Sequence, residues 1–297
     1  MNRRAAGVAA GVAIDALVGE PPITPHPLVV FGRIMRAVER RCHADRRAAG
    51  ILHASVGLAV GATSGIAFGP AGATYLAVAG NGLGRAALDV AAALEGHQLD
   101  AARRLLPALV GRDPSGLDVK EMARAAVESV AENTVDAIVA PALWAFIAGG
   151  AGALGYRAVN TMDAMVGHRS DRYARYGWAS ARLDDLANWV PARTTAGLVA
   201  AVRPRQAAEV LSVVRRHARA HPSPNAGVAE AAFAAALGLR LGGTNQYGSR
   251  VELRPPLGDG RPAEPADIAR AVRLSRQVTL ALVSALGGLA LLQRERS

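Results

Sequence analysis

The sequence predicts an all-α fold: a polytopic integral membrane protein of helices, with large polar helical segments and loops on the cytoplasmic side. Three observations carry that reading. Hydrophobic residues make up 51% of the chain and aromatics only 4%, and the apolar mass is mostly Ala, Val and Leu, which favours helices. Long stretches lack strong charge in a chain with 34 Lys and Arg residues. The polar segments between them repeat their apolar residues at helical spacing.

Taken in order, residues 1–22, MNRRAAGVAAGVAIDALVGEPP, start basic and turn apolar like a signal peptide. Asp15 interrupts the run and no small-residue cleavage site follows, so this is read as a retained first helix, with 5–19 a short membrane candidate. Residues 51–84 are long enough for a hairpin broken near Gly69-Pro70, or for one span and a shallow segment. Residues 137–156 meet the roughly 20-residue length of a spanning helix, with a break expected near Gly149-Gly150, and 277–293 come close to it. Residues 194–202 form a weaker candidate. The many small residues in these stretches suit close helix packing in lipid.

Between them, 85–135 reads as helices, with Asp118 an N-cap for a helix from 119. Residues 243–265, rich in Gly and Pro, read as a loop with one short hairpin. Arg33, Arg36, Arg40, Arg41, Arg46 and Arg47 put 20–50 in the cytoplasm by the positive-inside rule. The Arg-rich 157–205 fits the same side if 137–156 is broken or re-entrant. No repeat or low-complexity linker marks a boundary, so 1–297 is taken as a single membrane domain. A mean hydropathy of +0.17 leaves a soluble, Ala-rich bundle as the plain alternative.

The formal charge is +10, and Lys120 is the only lysine. A compositional bias toward Arg accounts for this as well as a phosphate-binding surface does. The expected partners are anionic lipid, in a bilayer, or an anionic substrate rather than nucleic acid. Cys42 is the single cysteine, which excludes an internal disulfide and a Cys-rich metal site.

Glu128, Glu132 and Asp136 lie four apart on one helix face, with Asn133 one position round. Like charges at that spacing repel, so the stripe calls for a cation, an arginine or a shared proton. Carboxylates are the ligands magnesium prefers, and a polar stripe entering an apolar stretch is costly unless functional. An exposed acidic helix face is the plain alternative. Residues 156–193 crowd Asn160, Asp163, His168, Arg169, Arg172, Arg182, Asp184, Asp185 and Asn188 together. Asp163 and His168 suit acid–base or metal work, and the arginines suit phosphate or carboxylate clamps. The turn at 221–227, with Asn225 and Gly227, opens a helix whose free amides could meet an anion, or simply starts that helix. His217 and His221 are set aside as metal ligands, because Pro222 follows at once and the sequence offers no third ligand. No phosphate loop, dinucleotide fingerprint or nucleophile elbow is present.

Four ordered motifs then add up: DALVGEPPITPHPLVVFGRIM (15–35), ARAAVESVAENTVDAIVAPALWA (123–145), YRAVNTMDAMVGHRSDRYARYGWASARLDDLANWVPAR (156–193) and HPSPNAGVAEAAFAAALGLRLGG (221–243). Together they resemble the adenosylcobinamide-phosphate synthase family of cobalamin biosynthesis, the CobD/CbiB type, nearly end to end. Glu20 stands where the family commonly has aspartate. The resemblance implies a multi-pass protein of the inner (plasma) membrane with its active site facing the cytoplasm. It implies a ligase that joins cobyric acid, or its adenosylated form, to aminopropanol or aminopropanol phosphate, with ATP as cosubstrate and Mg2+. On that footing Glu128, Glu132 and Asp136 are assigned to the metal. Asp163, His168, Asp184 and Asp185 are assigned to proton transfer and positioning. Asn133, Asn160, Arg169, Arg172, Arg182, Asn188, Asn225 and Gly227 are assigned to substrate or nucleotide. A homo-oligomer is compatible with this reading. An AmpE-like membrane sensor and a small membrane transporter are the competing readings.

Overall fold

The computed structural model describes residues 2–111, 113–168, 170–247 and 250–294. In chain order the elements are α1 (Asn2–Val18), α2 (Pro27–Cys42), α3 (Arg47–Ala77), α4 (Gly80–Glu95), α5 (Leu99–Leu105), α6 (Val119–Thr134), α7 (Ala140–Met162), α8 (Trp178–Ala187), α9 (Trp189–Val202), α10 (Ala207–His217), α11 (Ala226–Leu237), β1 (Leu239–Tyr247), β2 (Arg250–Leu257), β3 (Arg261–Pro262) and α12 (Pro265–Arg294). One π turn, Val135–Val139, follows α6, and another, Asp163–Gly167, follows α7. The predicted helical class holds, with one small sheet added.

Among the described residues, three helical stretches are long and apolar enough to cross a membrane: Arg47–Glu95, Val119–Gly167 and Pro265–Leu292. They contain the expected 51–84 and 137–156 and all but the last residue of 277–293. The most apolar windows of the first and third are only 28% buried, against 56% for the second. Side chains such as Ile66, Phe68, Leu280 and Leu292 are therefore left facing outward, the surface a bilayer would cover. The candidates at 5–19 and 194–202 are helical, but α1 has 17 residues and α9 has 14, short of the roughly 20 a span needs.

The chain divides into two compact units. The first comprises Met1–Ala79, Asp136–Asn188 and Val283–Ser297. Here α3 packs along α7, with α1, α2 and α8 against them. Small residues set the approach of α3 and α7: a Cβ on Gly65 would strike the backbone of Gly150, and one on Gly150 the backbone of Gly65. Both helices break where the sequence indicates, at Gly69 (φ 65°) before Pro70 and at Ala148-Gly149 (φ 65° at Gly149). A positive φ is accessible to glycine without a Cβ penalty. Phe31, Met35, Val159 and Met162 form an apolar core in this unit.

The second unit comprises Gly80–Val135 and Trp189–Leu282. Its helix α11, AGVAEAAFAAAL, is apolar all round save one residue, and it packs against α6, α9, α10 and β1. A helix without a polar face belongs in a core. Asp118 caps α6 as predicted: Glu121 N–H donates to Asp118 Oδ1 (2.8 Å) and Asp118 N–H to Glu121 Oε2 (2.9 Å), a capping box worth about 1 kcal/mol. The stretch read as a loop with one short hairpin, 243–265, does carry a hairpin, with β1 and β2 antiparallel, but β1 starts earlier and β3 joins it to make a three-stranded sheet of order β2-β1-β3. Pro255 and Pro256 obscured it in the sequence, but β2 is an edge strand, where proline's missing donor costs little. A bulge between Leu241 and Gly243 puts Gly242 at φ 82°.

Candidate functional site

The one charged residue of α11, Glu230, is fully buried. His221, in the turn before α11, brings Nε2 to 3.5 Å from Glu230 Oε1, and Arg254 on β2 brings Nη1 to 3.7 Å. Glu132, from α6, lies 3.8 Å from the same Arg254 nitrogen. Glu132, His221 and Glu230 each offer a ligand atom, and these lie within 4.8 Å of one another. Among the described residues no hydrogen-bond donor reaches either Glu230 oxygen, and His221 Nε2 has no partner. Burial, followed by the like charges of Glu132 and Glu128, pushes the Glu230 carboxyl well above the usual range. Burial, followed by Arg254, pushes the His221 imidazole down, favouring the neutral ring.

Local structure holds these groups in place. A Cβ on Gly227 would come within 2.5 Å of His221 Cβ, so glycine there lets the imidazole pack against α11. Ser223 faces His221 Nδ1 with both its N–H (3.1 Å) and its carbonyl (3.2 Å). The bulge on β1 turns the Gly242 N–H onto Glu128 Oε1 (2.9 Å), which also accepts from Arg124 Nη1 (3.1 Å). Beside this cluster a cavity of about 580 Å3 is lined by Arg124, Arg240, Gly242, Gly243, Arg254 and Pro255, among others. Three guanidiniums around one cavity suit an anion, with bidentate donors for phosphate or carboxylate oxygens.

A different polar cluster forms within the first unit. Asn160 Nδ2 donates to Asp136 Oδ2 (3.2 Å) and to Asp184 Oδ1 (3.3 Å), and Asn188 Nδ2 donates to Asp184 Oδ2 (3.0 Å). Tyr156 Oη contacts Asn188 Oδ1 (2.9 Å) and Asp136 Oδ1 (3.5 Å), which closes a ring of five residues. Burial holds the Asp184 carboxyl above its ordinary value despite its two amide donors. Asp185 is also raised by burial, partly offset by Arg182 Nη1 at 3.4 Å.

The structure thus brings Asp136, Asn160, Asp184 and Asn188 together and holds Glu128 and Glu132 in the other unit's cluster. The acidic stripe read as one face is held by two different sets of partners. Asp163 lies half-buried in its π turn, whereas His168 is exposed, its ring 5.0 Å from that of Tyr173. Arg172 Nη2 pairs with Glu39 Oε1 at 2.9 Å and its guanidinium stacks on Tyr173. Asn133 bonds back to the Ser129 carbonyl (2.9 Å) on its own helix. Asn225 accepts from Arg193 Nη1 (3.2 Å). The amides of residues 225 and 226 reach Ser223 Oγ at 3.3 and 3.1 Å, so a side chain already serves the donors expected to meet an anion. Arg169 lies outside the described residues.

Sequence reasoning missed Glu230, Arg254, Arg124, Arg240 and Tyr156 as site residues and set His221 aside. His217 turns away to accept from Gly258 N–H (3.0 Å), while His221 gains its partners from α6 and α11. The signal present was Glu230 itself, a lone charge in an unbroken apolar helix, where an unpaired carboxylate is expensive.

For magnesium, the donor chemistry separates the three stripe carboxylates. One oxygen of Glu128 is engaged by a guanidinium and an amide, and Asp136 by Asn160 and Tyr156. Glu132 is partly exposed beside the arginine cavity, which fits an ion that keeps several waters and is bound by one or two carboxylates plus substrate phosphates.

The sequence model described as CobD/Cbib protein matches residues 8–275. A protein of Mycobacterium tuberculosis (strain CDC 1551 / Oshkosh) named cobalamin biosynthesis protein CobD is 48% identical over 291 residues, 93% of this chain and 92% of its own length. Proteins of the same name from Geobacter metallireducens and Halalkalibacterium halodurans are 41% and 40% identical, each over 90% of both chains. No solved structure matches. On a family match spanning most of its length and relatives this similar, the chain belongs to the CobD/CbiB family.

Proposed function

We propose that this chain, a cobalamin biosynthesis protein by family, forms the amide bond between cobyric acid, or its adenosylated form, and aminopropanol or aminopropanol phosphate. The observation that supports it best is the arginine-lined cavity beside Glu132, His221 and Glu230. A carboxylate cannot be attacked by an amine until its oxygen becomes a leaving group. In the proposed route the substrate carboxylate attacks the γ-phosphorus of ATP and the bond to ADP breaks. The amine nitrogen then attacks the acyl carbon of the acyl phosphate, and inorganic phosphate leaves as the ammonium-derived proton passes to a base.

Magnesium, when bound, would neutralise phosphate charge. Arg124, Arg240 and Arg254 hold the anionic oxygens and favour the charge that develops on them. Glu132 supplies a carboxylate on the metal side. In the first unit, Asp184 and Asp185 have raised proton affinity, the direction a group that takes up a proton near neutral pH requires. The chain acts as a multi-pass protein of the plasma membrane with its polar segments in the cytoplasm.

The deciding experiment gives the purified chain in detergent cobyric acid, aminopropanol phosphate and ATP with magnesium. ADP and an amide-linked corrinoid should appear in equal amounts. Folded protein that releases neither overturns the reading. Cys42, the single cysteine and half-buried, reports orientation: an impermeant maleimide should label it only after spheroplasts are opened. Labelling of intact spheroplasts would put the 20–50 segment outside.

A further inference from the structure

We propose that Glu132, His221 and Glu230 form a divalent-metal site of mixed oxygen and nitrogen donors, which takes manganese- or cobalt-class ions more tightly than magnesium. This deepens the proposed function and rests on that reading only for its catalytic purpose. The site itself is argued from geometry and tested by binding.

The first argument is the unmet demand of the donors. Glu230 is fully buried, and among the described residues neither of its oxygens has a hydrogen-bond donor. His221, 6% exposed, leaves Nε2 without a partner and directed at Glu230 Oε1, 3.5 Å away. A buried carboxyl in that state takes up a proton, alone or shared with Glu132, unless a cation meets it. Arg254 stands nearest, yet its Nη1 is 3.7 Å from Glu230 and 3.8 Å from Glu132. Those distances place it outside hydrogen-bonding reach.

The second argument is charge and span. Glu128, Glu132 and Glu230 face Arg124 and Arg254, so with all three carboxylates ionised the cluster has one negative charge in excess, which a bound cation offsets. The three ligand atoms lie within 4.8 Å of one another. Ligands about 2.1 Å from a metal are at most roughly 4.2 Å apart, so adjustments of a few tenths of an ångström close the shell.

The third argument is the backing of the imidazole. A metal-ligating histidine characteristically donates its other ring N–H to a carbonyl or carboxylate. Ser223 serves His221 Nδ1 in either tautomer, its N–H donating at 3.1 Å when Nδ1 is bare and its carbonyl accepting at 3.2 Å when Nδ1 carries the hydrogen; metal binding at Nε2 selects the second. Imidazole nitrogen also sets the selectivity, because magnesium prefers oxygen ligands and the later first-row ions bind nitrogen increasingly well.

The test strips the full-length protein in detergent with a chelator and titrates it with Mn2+ alone, following free Mn2+ by paramagnetic resonance. One site per chain is expected, with Mn2+ bound at least tenfold more tightly than Mg2+ in competition, and with nitrogen hyperfine coupling from one imidazole in the bound-state spectrum. Glu230→Gln and Glu132→Gln should each weaken Mn2+ at least tenfold. His221→Ala should abolish the nitrogen coupling and reduce the preference over Mg2+, and Asp100→Asn, at an exposed carboxylate on α5, should leave Mn2+ affinity unchanged. The spectrum of the unaltered chain needs no variant to fold. Absence of stoichiometric binding, a bound spectrum without nitrogen coupling, or folded Glu230→Gln protein with unchanged affinity overturns the site. Activity without such binding would leave the amide-forming reading standing, and binding without activity would leave the metal site standing.

Discussion

The five-residue ring of the first unit and the Glu132–His221–Glu230 cluster of the second both draw carboxylates out of water, half-buried in the ring and fully buried at Glu230, but they meet burial differently. In the ring, Asp136 and Asp184 share the two hydrogens of Asn160, and Asn188 and Tyr156 supply the rest. In the cluster, Glu230 has no donor at either oxygen among the described residues. A satisfied buried network rigidifies the elements that carry it, whereas an unsatisfied one stores a cost that a ligand can relieve. The contrast separates a framework from a binding site more sharply than residue type does, since both sets are acids with one polar ring nearby.

The largest effect should come from breaking the framework. Asn160→Leu strips a donor from two half-buried carboxylates at once, and should destabilise the protein by about 3 kcal/mol, since a hydrogen bond to a charged group contributes about 1.5–3 kcal/mol. Thermal melting in detergent would read this. A melting temperature equal to that of the unaltered chain would mean the ring carries no stability.

The opposite change in the cluster should have the opposite sign. Without metal, Glu230→Gln replaces a buried carboxyl whose proton affinity burial has raised, and should be neutral or stabilising by up to about 1 kcal/mol. With Mn2+ at a hundredfold over its dissociation constant, the unaltered chain should gain about 2.7 kcal/mol, and the variant should gain much less. If Glu230→Gln melts well below the unaltered chain in chelator, Glu230 belongs to the framework and the contrast fails.

Much of the first unit was legible in the sequence because its determinants are local. Gly69-Pro70 and Gly149 announce backbone breaks, as Asp118 announces a helix start in the second unit. Asp136, Asn160, Asp184 and Asn188 fall within two of the quoted motifs, so their gathering needed only two helices to pack. The second cluster draws on α6, the turn before α11, α11 itself and β2, whose ranges run from residue 119 to residue 257. Nothing local ties His221 to Glu132, and the edge-strand prolines hid the strand that carries Arg254. The stripe of Glu128, Glu132 and Asp136 misled because helical spacing describes one helix, while each carboxylate's partners are set by the segments packed around it. A π turn at 135–139 also interrupts the spacing between Glu132 and Asp136.

Arg254 tests whether the open cluster and the arginine cavity act together. Arg254→Ala should raise the KM for ATP about tenfold, the equivalent of about 1.4 kcal/mol, with a smaller effect on the KM for the amine. Arg254→Lys should recover only part of this, because a lysine cannot reproduce the planar two-point fork. Equal effects on both substrates would place Arg254 outside nucleotide recognition.

Glu39 supplies an intermediate case and the smallest expected effect. It is buried like Glu230 but satisfied like the ring: its Oε1 accepts from Arg172 Nη2 and Tyr173 Oη, both at 2.9 Å. Burial raises its carboxyl, but the bonds from Arg172 and Tyr173 outweigh that and hold it below the ordinary value of 4.5. A depressed carboxylate stabilises the fold above its unfolded-state value and loses that contribution as pH falls through the folded one. Since the Arg172 side chain is 57% exposed, solvent and salt screen the pair. Glu39→Gln should therefore lower the melting temperature at pH 7 by only about 1–3 °C. The gap between variant and unaltered chain should stay constant down to about pH 5 and close below 4.5, where the unaltered chain takes up the proton the glutamine never needs. A gap that instead widened on acidification would mean that burial outweighs the bonds and raises the carboxyl, making Glu39 a second Glu230 rather than a member of the framework.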